Sequence, residues 1–229
     1  MESQAKKSVE KIMNELSNEQ KMLLYLIGVY SEVDGKYGKQ WIKDLALKGL
    51  ISKGIRSKVY DWDYAPASIM YRGSRKVINV SQEGTNDLND LRTLGLVARL
   101  RLGTNRHFYF NAFSLHKKGI EVVKEIPQEF RKPVDEFIHC KTCGELYEII
   151  PIDEGDEIPE NEFEELDPSE DEGYRFRMDG IFMVCYKCKI KINTRLDWIE
   201  AVSYTCFPRW LKVNMVAQWE LLMKKEREK

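Results

Sequence analysis

Apolar residues near the start of the chain recur with the spacing of a helix. Residues 1–16 carry one apolar stripe, formed by Val9, Ile12, Met13 and Leu16. Intervals of three and four residues bring such positions to one side of a helix. The pattern therefore predicts a first helix, whose stripe either packs on the protein's own core or joins two copies in a homodimer.

Two further helices follow in the pattern. Ser17 and Gln20 have the spacing of a capping box, and an apolar run over residues 22–30 comes directly after them. The Asp-Gly pair at 34–35 is a turn signal that ends this second helix. A third helix is predicted over residues 39–53. Its apolar positions are Trp41, Ile42, Leu45 and Leu50.

The next part of the chain mixes strand and helix signals. Residues 54–75 combine aromatic residues with proline and glycine, and we expect strand and loop there. Residues 77–80 then predict a short strand. Thr85 is a suitable cap for a following helix, and Gly95 is a suitable stop for it.

A hairpin and a closing helix complete the first half of the chain. Residues 96–113 alternate in polarity around the turn at 103–105, which predicts two antiparallel strands. Residues 116–125 predict a helix, and Pro127 ends it. This half of the chain therefore mixes helices with antiparallel strands.

The segment 88–123, with LRTLGLV followed by ARLRLGTNRHFYFNAFSLHKKGIEVV, resembles the recognition helix, wing and closing helix of winged-helix proteins. The resemblance implies binding to duplex DNA, with residues 85–93 in the major groove and the hairpin against phosphates. The side chains that it implies as DNA contacts are Asn86, Asn89, Arg92, Arg99, Arg101 and Arg106. Asp87 and Asp90 share the helix surface, where each would repel phosphate.

A second basic set adds a candidate nucleic-acid surface, because aromatic residues are interleaved with it. Its basic members are Lys48, Lys53, Arg56, Lys58, Arg72, Arg75 and Lys76. Its aromatic members are Tyr60, Trp62 and Tyr71. The alternative interpretation is an aromatic core with lysines outside it.

Charge is strongly segregated along the chain, although the formal net charge is only −1. Residues 153–172 contain twelve Asp or Glu and no Lys or Arg, so that 36 basic residues face 25 acidic ones elsewhere. The rest of the chain therefore carries about +11. The acidic stretch is predicted to be a disordered, solvated loop. A sharper hypothesis is that it folds over the basic surface and competes with nucleic acid.

Four of the five cysteines form two pairs, each with a two-residue gap. They are Cys140, Cys143, Cys185 and Cys188. This spacing lets both sulfurs of a tight turn face one metal while backbone amides donate to them, and two such turns close a tetrahedral site. With strand-like flanks, this half resembles a zinc ribbon and implies one structural zinc ion. An iron–sulfur cluster or reduced core cysteines are the alternatives.

The patterns together predict an α+β fold in two domains. A winged-helix-like domain with an N-terminal helical extension spans 1–130. A four-cysteine, zinc-ribbon-like domain spans 131–229, with the acidic insertion at 153–172 and two C-terminal helices, over 194–204 and from Pro208. No apolar run is long enough to cross a bilayer, and the N-terminus lacks a signal peptide's apolar core. We expect a cytoplasmic protein, in the nucleoid or nucleus if bound to DNA, with no membrane partner.

The predicted function is that of a DNA-binding transcription or genome-associated factor with double-stranded DNA as its partner. Winged helices also bind proteins, so an adaptor within a larger complex is the alternative. A metal-dependent nuclease built from Asp61, Asp63 and Glu83 is the second alternative. No catalytic motif is visible, and the sequence therefore does not predict an enzyme.

Overall fold

A computed structural model gives the architecture and describes residues 2–62, 65–71, 74–104, 107–151, 164–165 and 180–195. In chain order its elements are α1 (Glu2–Glu15), α2 (Asn18–Tyr30), β1 (Ile42–Lys43), α3 (Asp44–Arg56), β2 (Ala65–Tyr71), β3 (Ser74–Val80), α4 (Gln82–Thr93), β4 (Val97–Thr104), β5 (His107–Leu115), α5 (Lys117–Glu125), α6 (Gln128–Ile138), β6 (Glu148–Pro151), β7 (Glu164–Glu165), β8 (Gly180–Cys185) and β9 (Ile190–Arg195). Helices and sheets are both present, and the fold is α+β, as the sequence predicts.

The described strands form three separate sheets. One has the order β1-β5-β4, the second is the hairpin β2-β3, and the third has the order β6-β8-β9-β7. All neighbouring strands are antiparallel except β7 and β9, which are parallel. The first sheet lies among α2 to α5, and the third lies against α3.

The apolar stripe of α1 is used within the chain. Ile12 and Leu16 are buried in the core, and Val9 and Met13 pack against it. This arrangement confirms the predicted helix and removes the reason for a homodimer through this stripe. The capping box at the start of α2 is also confirmed, because Ser17 and Gln20 each accept the other's backbone N–H, at 3.1 and 3.2 Å.

Two predicted helix starts are wrong. Residues Ile42 and Lys43 are strand β1, since they pair with β5, and α3 begins only at Asp44. The helix α4 begins earlier than predicted, because the Oγ of Ser81 caps it by accepting the N–H of Gly84 at 3.0 Å. Thr85 lies inside the first turn. Its hydroxyl donates to the carbonyl of the capping residue at 2.8 Å.

A further helix, α6, follows Pro127 and was not expected from the sequence. Pro133 lies inside it and removes one helical hydrogen bond. Burial of the apolar face outweighs that cost, because Val134, Phe137 and Ile138 are all buried. The predicted domain boundary between residues 130 and 131 falls within this helix.

Both halves of the chain contribute to a single core cluster. Ile181 and Met183 of β8 lie in the same cluster as Leu47 and Leu50 of α3. The approach is close at Gly49, where an added Cβ would lie 2.6 Å from side-chain atoms of Ile181. The cysteine-bearing sheet therefore packs directly on the helical half, and the division into two domains stays a prediction.

Several predicted features lie outside the described residues. These are the helix from Pro208, most of the helix at 194–204, Arg106, Cys206 and most of the acidic stretch. The predicted start of the 194–204 helix is wrong, because Thr194 and Arg195 belong to β9. Within the described part of the chain, no helix has the length and apolar character that crossing a membrane requires.

Candidate metal centre and nucleic-acid surface

The first cysteine pair sits on a tight turn at the end of α6. The N–H of Cys140 donates to the carbonyl of Glu145, and the N–H of Gly144 donates to the carbonyl of Cys140, both at 2.8 Å. Gly144 has φ +74°, a conformation that glycine adopts without strain. These bonds reverse the chain and bring Cys143 back beside Cys140.

The second cysteine pair lies on the tight turn that joins β8 to β9, and this turn resembles the first. Cys185 ends β8 and pairs with Ile190, so the turn lies between them. The residue after Cys188 again has a positive φ, but here it is Lys189 at +55°. A side chain in this conformation costs roughly 1–2 kcal/mol relative to the right-handed region. The turn therefore holds a strained lysine where its counterpart holds Gly144.

The two turns bring four sulfurs into one cluster. The Sγ atoms of Cys140, Cys143, Cys185 and Cys188 all lie within 4.8 Å of one another. The Sγ atoms of Cys143 and Cys185 lie 3.5 Å apart. A tetrahedral metal with sulfur bonds of about 2.3 Å needs sulfur separations of about 3.8 Å. The four thiols therefore fit one metal ion, and the cluster that the sequence predicts is present.

Proton affinities differ among these thiols. Burial raises the pKa of Cys140, but hydrogen bonds from the backbone amides of Cys143 and Thr142 and from neighbouring thiols outweigh it, and the pKa falls to about 6. Burial raises the pKa of Cys185. A hydrogen bond with Cys143, together with burial, raises the pKa of Cys188 to about 12. A metal ion must therefore displace protons from this cluster when it binds.

The cluster is anchored to the helical half through Tyr147. Its N–H donates to the carbonyl of Ile138 at 2.9 Å, and its own carbonyl accepts the hydroxyl of Tyr30 at 3.1 Å. Burial, followed by the charge of Cys140, raises the pKa of Tyr147 to about 12. The first turn is thus fixed between α2, α6 and the sheet.

Other candidate ligands stay apart from the cluster. The Nδ1 of His139 lies 3.0 Å from the backbone oxygen of Asp135. Of the residues whose placement is described, only the four cysteines gather three or more potential ligand groups. Asp61 and Glu83 join no such group, and Asp63 lies outside the described residues. With all four positions taken by sulfur, the site has the character of a structural metal centre.

The residues predicted to contact DNA lie on α4 and β4. Asn86 and Asn89 are exposed on the helix, and Arg99 and Arg101 are exposed on the strand. Arg92 is half-buried, and its guanidinium donates to the side-chain oxygen of Asn89 at 2.7 Å. The structure thus places five of the six predicted residues on two consecutive elements.

One of the two carboxylates expected to repel DNA has other partners. Asp87 accepts hydrogen bonds from the side-chain amide of Gln20 at 2.9 Å and from the indole of Trp62 at 3.0 Å. Burial raises its pKa, and these two bonds oppose the rise. Asp87 is therefore half-buried and hydrogen-bonded at this position, whereas Asp90 is exposed.

Two arginines lie on either side of the turn between α4 and β4, the α4–β4 corner. Burial lowers the pKa of Arg92, and the positive charge of Arg99 lowers it further. These residues are seven positions apart in the sequence, and the turn at Gly95, with φ +71°, folds β4 back beside the helix. The corner therefore concentrates positive charge at one end of the exposed face of α4.

The second basic set, with its interleaved aromatic residues, does not form one exposed surface. Tyr60 and Trp62 are buried and stack on each other with ring centroids 4.2 Å apart, so neither ring is open to a base. Lys48 forms an ion pair with Asp44 at 2.6 Å. The alternative interpretation, an aromatic core with lysines outside it, holds for these residues.

A short piece of the acidic stretch is part of the cysteine-bearing sheet. Glu164 and Glu165 form β7, which pairs in parallel with Ile190 and Lys191 of β9. The prediction of a wholly disordered loop is therefore wrong at these two positions. Strand β7 forms an edge of the sheet whose strands β8 and β9 carry the second cysteine pair.

Comparison with known proteins places the chain in a family. The model of the Uncharacterized protein MJ1567 family matches residues 19–158, which is more than half of the chain, and the chain belongs to that family. The matched part includes Cys140 and Cys143 and ends before Cys185. Searches of the curated proteins and of the solved structures found no match.

Proposed function

We propose that this member of the Uncharacterized protein MJ1567 family binds double-stranded DNA as a transcription or genome-associated factor. In this proposal α4 enters the major groove and the β4–β5 hairpin is the wing that follows the phosphates. The order α2, β1, α3, α4, β4, β5, with the β2–β3 hairpin inserted between α3 and α4, and the strand order β1-β5-β4 support a winged-helix-like arrangement. Fold does not establish function, so the proposal depends on side chains.

The observation that carries the proposal is the pair of arginines at the α4–β4 corner. Arg92 and Arg99 are close enough for the charge of one to disfavour the charge of the other. An anion bound between them would remove this repulsion, and phosphate accepts guanidinium hydrogen bonds in well-defined geometry. Asn86 and Asn89 lie on the neighbouring helix surface, where amides suit adenine edges. Asp87 is half-buried and its two carboxylate oxygens accept hydrogen bonds from Gln20 and Trp62, so it is less available to repel phosphate than the exposed Asp90.

A salt titration tests this proposal. Fluorescence anisotropy with a labelled duplex of random sequence measures the dissociation constant at several salt concentrations. Each phosphate contact adds about 0.9 to the slope of log K against log salt, so R92A/R99A should lower the slope by about two. The N86A/N89A variant should keep the slope, and in competition between duplexes of different defined sequence it should discriminate less than the unaltered protein. The matched control is K124A/K132A, which removes two exposed lysines from α5 and α6.

If the unaltered protein shows no salt-dependent binding, DNA binding is refuted. If it binds and R92A/R99A matches the K124A/K132A control, the arginine corner is not the contact. Either result would shift the assignment away from a winged-helix DNA reader.

The metal in this proposal is one structural zinc ion, held by the four cysteines. Zinc favours tetrahedral thiolate sites, and the four sulfurs leave no open position for a reacting water. Elemental analysis of the purified protein should find one zinc per chain. Iron with visible charge-transfer absorption would instead identify an iron–sulfur cluster.

Protein binding is the second candidate function, and a specific observation favours it. Glu83 and Asp90 are exposed on the same helix surface as the two asparagines, and Trp41 is 44% exposed. Exposed carboxylates and an exposed tryptophan suit a basic protein partner better than they suit phosphate. Absence of DNA binding, with partner capture that W41A or D90A abolishes, would establish the adaptor. A nuclease is the third hypothesis, and magnesium-dependent cleavage of duplex DNA would reveal it.

A further inference from the structure

The hairpin of β2 and β3 is a separate two-stranded ribbon. Its strands are paired along their whole length, from Ala65 opposite Val80 to Tyr71 opposite Ser74. Among the described strands, neither pairs with any other. An isolated two-stranded hairpin is at best marginally stable in water, so such a ribbon gains from a surface to lie against. Strand β3 also contacts α3.

The ribbon is joined directly to the N-terminus of α4. Val80 ends β3, and the next residue, Ser81, is the cap whose side chain accepts the N–H of Gly84. In helix-turn-helix proteins the N-terminal residues of the recognition helix are those that contact base edges. A ribbon that starts at this cap therefore starts beside the DNA, if α4 is the reading helix.

The sequence of the ribbon carries positive charge and no acidic residue. Residues 65–80 contain no Asp or Glu, whereas Arg75 and Lys76 stand near the far end of β3. Arg75 is opposite Met70, and Lys76 is opposite Ile69, so the two basic positions fall on opposite faces of the ribbon. Arg72 stands between the two strands in the sequence and lies outside the described residues.

The ribbon is long enough to reach beyond a single groove. At about 3.4 Å per residue, Arg75 stands about 17 Å along the strand from Val80. The major groove of B-form DNA is about 12 Å wide. The distance from Val80 to Arg75 therefore exceeds the width of the groove that α4 would occupy.

We propose that the β2–β3 ribbon is a second DNA-contacting arm, distinct from the β4–β5 wing, which binds backbone phosphates through Arg75 and Lys76. The inference rests on the proposed function, since the arm contacts DNA only when α4 is in the groove. Phosphates carry no base information, so the arm adds affinity and salt dependence and adds no sequence preference.

The experiment compares arm variants with the unaltered protein on the same labelled random duplex across a salt series. Two lost phosphate contacts should lower the salt slope of R75A/K76A by about two and weaken binding at physiological salt by on the order of tenfold. The charge-conserving variant R75K/K76R should retain most of the slope. K124A/K132A, with two lysines removed from α5 and α6, should behave like the unaltered protein.

A deletion gives an independent measurement. Ala65 and Val80 are paired partners at the base of the ribbon, so a Gly-Gly link can replace residues 66–79 and keep Ala65 beside Val80. This variant should keep its thermal midpoint and lose at least as much of the salt slope as R75A/K76A. In the unaltered protein, backbone amides of the ribbon should exchange hydrogen more slowly when DNA is bound.

The possible failures are distinguishable. Absence of DNA binding by the unaltered protein refutes the proposed function and the arm with it. Normal DNA binding by R75A/K76A and by the deletion variant, with the salt slope unchanged, refutes the arm alone. Loss of slope in R75K/K76R as large as in R75A/K76A would mean that the ribbon acts through its shape, which also overturns the charge-based proposal.

Discussion

The four-cysteine turns and the α4–β4 corner are built in different ways. Each turn holds its chemistry within a few consecutive residues, because amides of the first turn donate to the sulfur of Cys140 that begins it. The corner depends on distant residues, since Gln20 and Trp62 donate hydrogen bonds to the half-buried Asp87 of α4. A metal centre of this kind is encoded locally, whereas a recognition surface exists only in the packed protein.

The largest expected effect comes from breaking the metal centre. Cys140 is 2% exposed, and it belongs to the cluster that joins both halves of the core. Loss of one of four ligands releases the metal, so C140S should lower the free energy of unfolding by at least about 4 kcal/mol. Metal content and denaturant unfolding measure this. C206S, which alters the cysteine outside both pairs, is the control, and a C140S variant with full metal content would contradict the prediction.

The next largest effect is expected at the contact between α5 and the turn that joins α4 to β4. An added Cβ at Gly119 would collide with the backbone carbonyl of Leu96, which also accepts the N–H of His116 at 2.9 Å. The backbone of α5 and the backbone at Leu96 cannot easily move apart, so G119A should destabilise the protein by about 3 kcal/mol. Thermal unfolding of G119A and of E121A, an exposed control on the same helix, checks this. Similar midpoints for the two variants would show that α5 does not fix the corner.

A smaller effect is expected at Asp87. Truncation in D87A leaves the indole of Trp62 and the amide of Gln20 without their acceptor, which should cost about 1–3 kcal/mol. D87N keeps one acceptor oxygen and should cost less. The comparison between these two variants separates lost hydrogen bonds from lost charge. Equal stability of D87A and the unaltered protein in urea would refute the role given to this carboxylate.

Asp87 also predicts a pH dependence. Its pKa in the folded protein is raised above the ordinary value of 3.8, chiefly by burial, so the folded state binds the proton more tightly than the unfolded chain. Stability should therefore fall as pH rises from 3.8 through the folded pKa. Unfolding at several pH values should show a shallower decline in D87N than in the unaltered protein, and identical profiles would contradict the assignment.

The smallest effects compare the two cysteine turns. At Gly144 an added Cβ meets no atom within 4 Å, so G144A should cost about 1 kcal/mol from its positive φ alone. K189G should stabilise the second turn by up to about 1 kcal/mol, because it relieves the strain at φ +55°. Metal-loaded protein unfolded in guanidinium measures both changes. Destabilisation by K189G would show that contacts of the lysine side chain outweigh the strain.

Features confirmed from the sequence share a local cause. The capping box of Ser17 and Gln20, the stop at Gly95 and the pairing of the cysteines each follow from residues within a few positions of one another. Missed features depend on partners elsewhere in the chain. Residues Ile42–Lys43 are extended because β5 supplies their hydrogen bonds, and α6 tolerates Pro133 because its apolar face is buried.

The sequence by itself determined which residues can hold a metal, which apolar positions of α1 and α2 share a helix face, and that β4 and β5 form an antiparallel hairpin. Short-range geometry sets these features, since backbone bonds and side-chain periods extend over only a few residues. Only the tertiary structure decided that Gln20 and Trp62 donate hydrogen bonds to Asp87, that Arg92 and Arg99 flank one turn, and that a single core supports the four sulfurs. These outcomes depend on contacts between residues far apart in the chain, which no local pattern contains.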